Sequence, residues 1–264
     1  MLPRERPSQP TNLAGPASRA GRTKLGPVSV AIIGGTGDEG FGLALRLARA
    51  GEDVVIGSRA EERGQAAAEK AADLLGLGSG AGTRGGIEGT SNEKAAAGSE
   101  LVFVTVPFAG QAEIYRSIKD ALRPDAVVCD TTTPLATAVG RPAWQVLTPW
   151  EGSAAEQAKA ILSKNVRLVS GFHTISGHAL QSLDRDLEGD VLLCGAEPEA
   201  KAAVGALVGR IPNLRWVDAG PLSMARVIER LTAVLVSVNR AYGITTAGVS
   251  LTGRARWGPP PAKA

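Results

Sequence analysis

Cysteine and histidine are nearly absent from this chain, with two of each among 264 residues. Cys129 and Cys194 each lie in or at the end of an apolar run and read as reduced thiols of buried strands, so a disulfide-stapled scaffold is excluded. His173 and His178 have no third ligand at helical or hairpin spacing, which argues against a metal centre. Also missing is any apolar run near the ~20 residues that span a bilayer, or one of signal-peptide length at the proline-rich N-terminus. The expectation is a soluble, cytoplasmic protein with no membrane partner. A basic face is missing too, although the formal charge is +3. Residues 1–24 carry a net +4 and the tail from Arg254 another +3, which leaves about −4 on the body between them. A nucleic-acid partner is not expected.

What the chain does have is glycine in one telling place. The apolar run Val28 to Ile33 leads into Gly34-Gly35-Thr36-Gly37-Asp38-Glu39-Gly40 and then into the helical pattern from Phe41. Gly35, Gly37 and Gly40 fit G-x-G-x-x-G between a strand and a helix, the arrangement that brings a bare backbone and a helix N-terminus against a pyrophosphate. A dinucleotide site that prefers NAD places a carboxylate at the end of the second strand, about 20 residues on. That position holds Gly57-Ser58-Arg59, with Arg63 one helical turn further. A hydroxyl and two cations with no carboxylate suit the 2′-phosphate of NADP. Thr105-Val106-Pro107 ends the fourth strand, where it walls the ribose and nicotinamide, and Thr131 ends the next strand facing the same cleft. His173 follows a strand directly. It is either a ligand contact or a capping histidine.

The alternation of strands and helices predicts an α/β fold: an N-terminal Rossmann-type, doubly wound parallel sheet, with a second half that extends the sheet or forms a smaller C-terminal α/β lobe. Residues 1–26 read as a disordered extension, 27–134 as the NADP-binding domain, 135–251 as the second lobe and 252–264 as a flexible tail. Residues 135–152, with Trp144 and Trp150, read as irregular. A single long helix is expected from about Leu222 to Ala241, with Ile228, Leu231, Leu235 and Val238 as its apolar stripe.

Beyond the glycine turn, the chain carries Asn92-Glu93, Val106-Pro107-Phe108, Phe172-His173-Thr174-Ile175 and Asp218-Ala219-Gly220-Pro221-Leu222-Ser223 with Arg226 and Glu229. This ordered set, from about Val28 to Leu251, resembles the NADP-dependent reductases of the deazaflavin coenzyme F420. The resemblance implies hydride transfer between NADP(H) and F420, with both cofactors face to face in one cleft, and a homodimer. It implies that Thr36, Gly37, Asp38 and Glu39 cradle the pyrophosphate and that Ser58, Arg59 and Arg63 hold the 2′-phosphate. His173 through Ile175, Ser176 and Gly177 would line the meeting place of the rings, with His173 the one tempting acid. Asp38 and Glu39 depart from the family's Asn and apolar residue, and two carboxylates beside a pyrophosphate are an electrostatic cost unless they point away. Ser176-Gly177 stands where the family has Pro-Ala. Two other readings stay open from the residues alone: an NADP-dependent carbonyl or imine reductase, or a non-catalytic NADP-sensing protein.

Overall fold

In the computed structural model, residues 29–77 and 85–253 are described; the expected N-terminal extension and nearly all of the expected tail lie outside them. The first half alternates strictly: β1 (Ser29–Ile33), α1 (Asp38–Arg49), β2 (Asp53–Ser58), α2 (Glu61–Leu75), β3 (Ile87–Ser91), α3 (Asn92–Gly98), β4 (Leu101–Val104), α4 (Phe108–Ile118) and β5 (Val127–Asp130). The second half adds α5 (Ala154–Ile161), β6 (Arg167–Ser170), α6 (Gly177–Gln181), β7 (Gly189–Gly195), α7 (Pro198–Val208), β8 (Leu214–Asp218), α8 (Ala225–Ile228) and α9 (Leu231–Tyr242).

The eight strands of the described residues form one sheet in the order β3-β2-β1-β4-β5-β6-β7-β8. Chain order reverses between β1 and β4, and the crevice at such a reversal is where open α/β sheets bind ligands. Every pairing is parallel except β6 with β7, which joins through only Val169↔Gly195 and Ser170↔Cys194. The second half therefore extends the sheet, across a narrow antiparallel seam. Both sheet faces are apolar because helices cover both. Ile32, Phe103 and Cys129 pack on one side with Leu43 and Leu47 of α1, while Ile33, Val104 and Val128 pack on the other with Ile114 and Ile118 of α4.

The expected long C-terminal helix is broken. A 3₁₀ turn at Leu222–Met224 precedes α8, and α9 begins only at Leu231. The break is at Glu229, whose buried carboxylate reaches the amides of Ala154 (2.9 Å) and Ala155 (3.0 Å) at the start of α5. Those helix-start donors need an acceptor and Glu229 supplies it. Its own backbone stays right-handed helical, and the interruption is a tightening to i→i−3 bonds, Arg230 N–H to the Val227 carbonyl and Thr232 N–H to the Glu229 carbonyl. The 135–152 segment is a loop tied by a Leu135↔Val146 bridge, with the Arg240 guanidinium 4.4 Å from the Trp144 ring. After α9 the chain doubles back: Asp190 N–H donates to the Val249 carbonyl (2.8 Å), Leu251 N–H donates to the Asp190 carboxylate (2.6 Å), and Ser176 Oγ donates to the Thr245 carbonyl (2.6 Å).

Candidate active site

The glycine turn behaves as its spacing demands. Gly34 has φ +74°, and Gly35 N–H donates to the carbonyls of Ile32 and Gly57, which binds the turn to the ends of β1 and β2. A methyl group on Gly40 would meet Gly35 Cα at 2.8 Å and Thr105 Oγ1 closer still, so α1 can lie against the strand ends only with glycine there. Gly37 is different. A methyl group there would approach no atom nearer than Gly34 O at 3.5 Å, so the fold itself does not require a bare backbone on that exposed side. Gly37 is the N-cap of α1 and no side chain caps the helix. Among the described residues, the amides of Thr36, Asp38, Glu39 and Gly40 have no acceptor. Unpaired donors, the positive end of a twelve-residue helix and open space form a cradle for an anion.

On the β2 side, Ser58 is buried and Arg59 and Arg63 are exposed, the first just before the N-cap Ala60 and the second in the first turn of α2. The neighbouring acid Glu61 is drawn off by Lys94 Nζ (2.7 Å) and by the Thr90 hydroxyl (3.2 Å). Neither Arg59 nor Arg63 has a carboxylate partner within ion-pair distance among the described residues. Asn92 Oδ1 accepts from Gly34 N–H at 3.4 Å, which places the conspicuous Asn92 beneath the turn.

On the β4–β5–β6 side, Thr105 Oγ1 donates to the Ile33 carbonyl (3.0 Å) and Thr132 Oγ1 to the Val106 carbonyl (3.2 Å), so the strand-end loops at Thr105-Val106-Pro107 and Thr131 are mutually braced. Phe172 takes φ +70°, and its buried ring meets Phe103 edge-on at 5.6 Å. That left-handed step turns the chain so that His173 points back into the fold. His173 Nδ1 lies 3.1 Å from the Thr131 carbonyl and Nε2 2.8 Å from Ser170 Oγ. A carbonyl only accepts, so Nδ1 carries the proton and Nε2 accepts from the serine. Burial lowers the His173 pKa to about 4, against the pull of the Thr131 carbonyl. The histidine expected as the tempting acid is thus neutral, with both nitrogens occupied, and it pins the end of β5 to the end of β6.

Ser176 caps α6 by accepting from Ala179 N–H (3.3 Å). A methyl group on Gly177 would meet Glu39 N at 3.1 Å and Glu39 Cα at 3.2 Å. A side chain at 177 would therefore prise α6 from the start of α1 before it filled any ring-stacking space. Arg46, buried in α1, fastens the same junction. Its guanidinium donates to the carbonyls of Leu180 (2.9 Å), Ala179 (3.0 Å), Ser182 (2.6 Å) and Arg185 (2.9 Å). Sequence reading missed it because an arginine between apolar helix residues looks like a surface charge.

The two carboxylates in the first turn of α1 diverge. Asp38 accepts from Gln181 Nε2 through both its carbonyl (2.9 Å) and Oδ1 (3.3 Å). Glu39 turns toward the end of β5, where burial raises its pKa to about 8, opposed by the Thr131 hydroxyl and reinforced by Asp130. Asp130, bonded by Gln111 Nε2 at 2.7 Å, is raised to about 7, again chiefly by burial, and Glu229 to about 8 for the same first reason. Among the described residues no group of His, Cys, Asp and Glu side chains is arranged to hold a metal ion.

These shifts set the sign of a pH effect. A carboxyl whose folded pKa is raised stabilises the fold at low pH, and that stability is lost as pH rises through the folded value; a histidine whose pKa is lowered does the opposite. Above about pH 6.5 His173 is neutral in both states, while Glu39, Asp130 and Glu229 are ionised in the unfolded chain and still hold protons in the fold, so the melting temperature is expected to fall up to about pH 8 and then level off. Thermal unfolding in buffers of matched ionic strength checks it, and a flat profile would mean that the three carboxyls are already ionised in the fold.

Residues 29–134 match the family described as NADP oxidoreductase coenzyme F420-dependent. The F420-dependent NADP reductase of Methanothermobacter thermautotrophicus is 36% identical over 230 residues, 87% of this chain and 97% of the relative. The chain belongs to the F420-dependent NADP reductase family. A second such reductase, from Methanocaldococcus jannaschii, is 36% identical over 85% of this chain and 98% of its own length. The fold of this family member is also that of a crystal structure, a candidate F420-dependent NADP reductase from Arthrobacter sp. FB24, with TM-score 0.71 and 22% identity over 86% of this chain and all of the other.

Proposed function

We infer that this protein passes a hydride between NADP(H) and coenzyme F420. The observation that carries the reading is the uncapped start of α1, with Gly37 bare beside it and Arg59 and Arg63 across the turn, in a chain of this family. The free amides of Thr36, Asp38, Glu39 and Gly40 would hold the pyrophosphate, with Gly37 letting it approach, Ser58 with Arg59 and Arg63 would hold the 2′-phosphate, and Thr105, Val106, Pro107 and Thr131 would form the wall beside the nicotinamide. Ile175, Ser176 and Gly177, set against α1, would border the deazaflavin. The two cofactors supply the hydride chemistry when bound; the protein orients them and excludes water. We propose the same division for the chain: residues 27–134 for the dinucleotide and 135–251 for the deazaflavin.

Mixing the purified protein with NADPH and F420 and following the deazaflavin absorbance tests the reading. Saturable, enzyme-dependent bleaching is expected; none, with NADPH bound, would return the carbonyl or imine reductase to the front. His173 enters this scheme by position. His173→Ala is expected to lower the single-turnover rate by no more than about tenfold, whereas loss of a true general acid would cost about 10²–10⁴-fold. A homodimer is proposed through α9, on which Val234 (57% exposed) and Tyr242 (77%) lie open. Analytical ultracentrifugation decides it. No helix among the described residues is long and apolar enough to cross a membrane, and a cytoplasmic location is proposed with the NADPH chemistry.

A further inference from the structure

Glu39 is a residue that the binding scheme leaves without work. Its backbone belongs to the anion cradle, yet its side chain leaves the cradle and runs toward Thr131 at the end of β5. There Oε1 is buried and has no hydrogen-bond partner. Orphaned buried carboxyl oxygens are costly, and such a group is kept for something it meets later. The residue as a whole is half-buried, with its backbone on the side of the exposed Gly37 and Asp38.

Position indicates what that partner is. In a doubly wound sheet the pyrophosphate crosses the helix N-terminus at the switch point and the two nucleotide halves run to opposite sides. Arg59 and Arg63 at β2 mark the adenosine side, so the end of β5 belongs to the nicotinamide side. The groups facing Glu39 are Cys129 and Asp130 of β5, Thr131 just after it, the backbone of Gly177 from α6, Thr105 beyond Gly40, and Asp38 on its own helix; the buried Cys129 thiol is itself pushed up and stays protonated. Asp130 is the charge that acts on it, and no cation does. In that setting the carboxyl is a neutral acid, carrying one O–H donor and one carbonyl acceptor. A primary carboxamide presents the mirror set, one carbonyl acceptor and an N–H donor.

We propose that Glu39 enters the complex as a neutral carboxylic acid that pairs with the carboxamide of the nicotinamide, and so positions the reacting ring. This rests on the NADP(H) reading above. It makes Glu39 a positioning residue whose ionisation loosens the nicotinamide half alone.

The test is calorimetric binding of two ligands to the intact protein: NADPH, and 2′-phospho-ADP-ribose, which keeps the pyrophosphate, both riboses and the 2′-phosphate but lacks nicotinamide. For the wild type, NADPH affinity is expected to fall about tenfold from pH 7 to pH 9 while 2′-phospho-ADP-ribose affinity holds, the limit set by one proton with a pKa of about 8. Glu39→Gln, isosteric and uncharged, is expected to bind NADPH within about threefold of wild type at pH 7 and to show no pH slope. Glu39→Leu is expected to lose about tenfold for NADPH and nothing for 2′-phospho-ADP-ribose. An equal pH slope for both ligands would place Glu39 against the pyrophosphate and overturn the carboxamide assignment; a flat NADPH profile in the wild type would overturn the neutral acid. If neither ligand binds at any pH, it is the NADP(H) reading that fails.

Discussion

Arg46→Met is expected to cost about 3–5 kcal/mol of stability and to lower the melting temperature by about 10 °C, although it exchanges a charge for an apolar side chain inside a helix. The methionine fills much of the arginine's volume and removes an ion from a buried site, which on transfer grounds alone would be favourable. What decides the sign is the set of four carbonyls of residues 179, 180, 182 and 185, which would lose their donor together. A charged donor to a carbonyl contributes about 1.5–3 kcal/mol, and water can replace only those nearest the surface. The damage would not stop at stability. The same four carbonyls hold α6 and the turn after it against α1, so Arg46→Met should also weaken NADPH binding, and Arg46→Lys, a single point donor, should recover only part of either loss. Denaturant unfolding of the three proteins measures this. An unchanged midpoint for Arg46→Met would mean that the 176–185 segment is held by its apolar contacts alone.

The second large effect is on the choice of dinucleotide. Arg59→Ala is expected to weaken NADPH binding about thirtyfold, about 2 kcal/mol, as loss of a charge-assisted contact to phosphate does, and to leave NADH binding nearly unchanged. Two features make this a clean experiment. Arg59 is exposed and has no carboxylate partner among the described residues, so its removal exposes nothing and orphans nothing. Glu61 is already engaged by Lys94 and Thr90, so it is not released to repel the ligand when Arg59 is gone. Arg63 remains and sets the floor of the effect. Titration by nucleotide fluorescence or calorimetry reads the ratio directly, and equal affinity of the wild type for NADPH and NADH would remove the 2′-phosphate assignment altogether.

Legibility followed the range of the contacts. The turn from Gly34 to Gly40 could be read from the chain because its determinants are local: a strand, three glycines and a helix within about a dozen residues. The placement of Ser58, Arg59 and Arg63 at the end of β2 and the start of α2 was legible for the same reason. The stacking of α6 on α1 was not, since it depends on Gly177 meeting Glu39 and on Arg46 reaching carbonyls more than 130 residues away. The five-residue α6 itself leaves no periodic trace. Glu229 shows the same limit from the other side. Its helical periodicity with Ile228 and Leu231 predicted continuity, and neither the tightening of the backbone at 229–230 nor the contact of its carboxyl with the distant helix start at Ala154 leaves a periodic signal. For Asp38 and Glu39 the sequence raised the right electrostatic question, but only tertiary structure could answer it, because one is held by Gln181 and the other is turned inward against Thr131 and Asp130.

The doubling-back of the chain after α9 bears on how a ribosome would deliver this enzyme. Every group assigned to the dinucleotide on the β1–β5 side has emerged by residue 131, whereas Ser176 and Asp190 receive their ties from Thr245, Val249 and Leu251 only after more than a hundred further residues have been added. A nascent chain is therefore expected to gain the ability to hold NADPH before the surface proposed for the deazaflavin is fastened, and amide protection in ribosome-stalled chains would show that order. A product cut short after α9 would be worse than an inert fragment: it would retain the nucleotide and have no settled surface on which to discharge it.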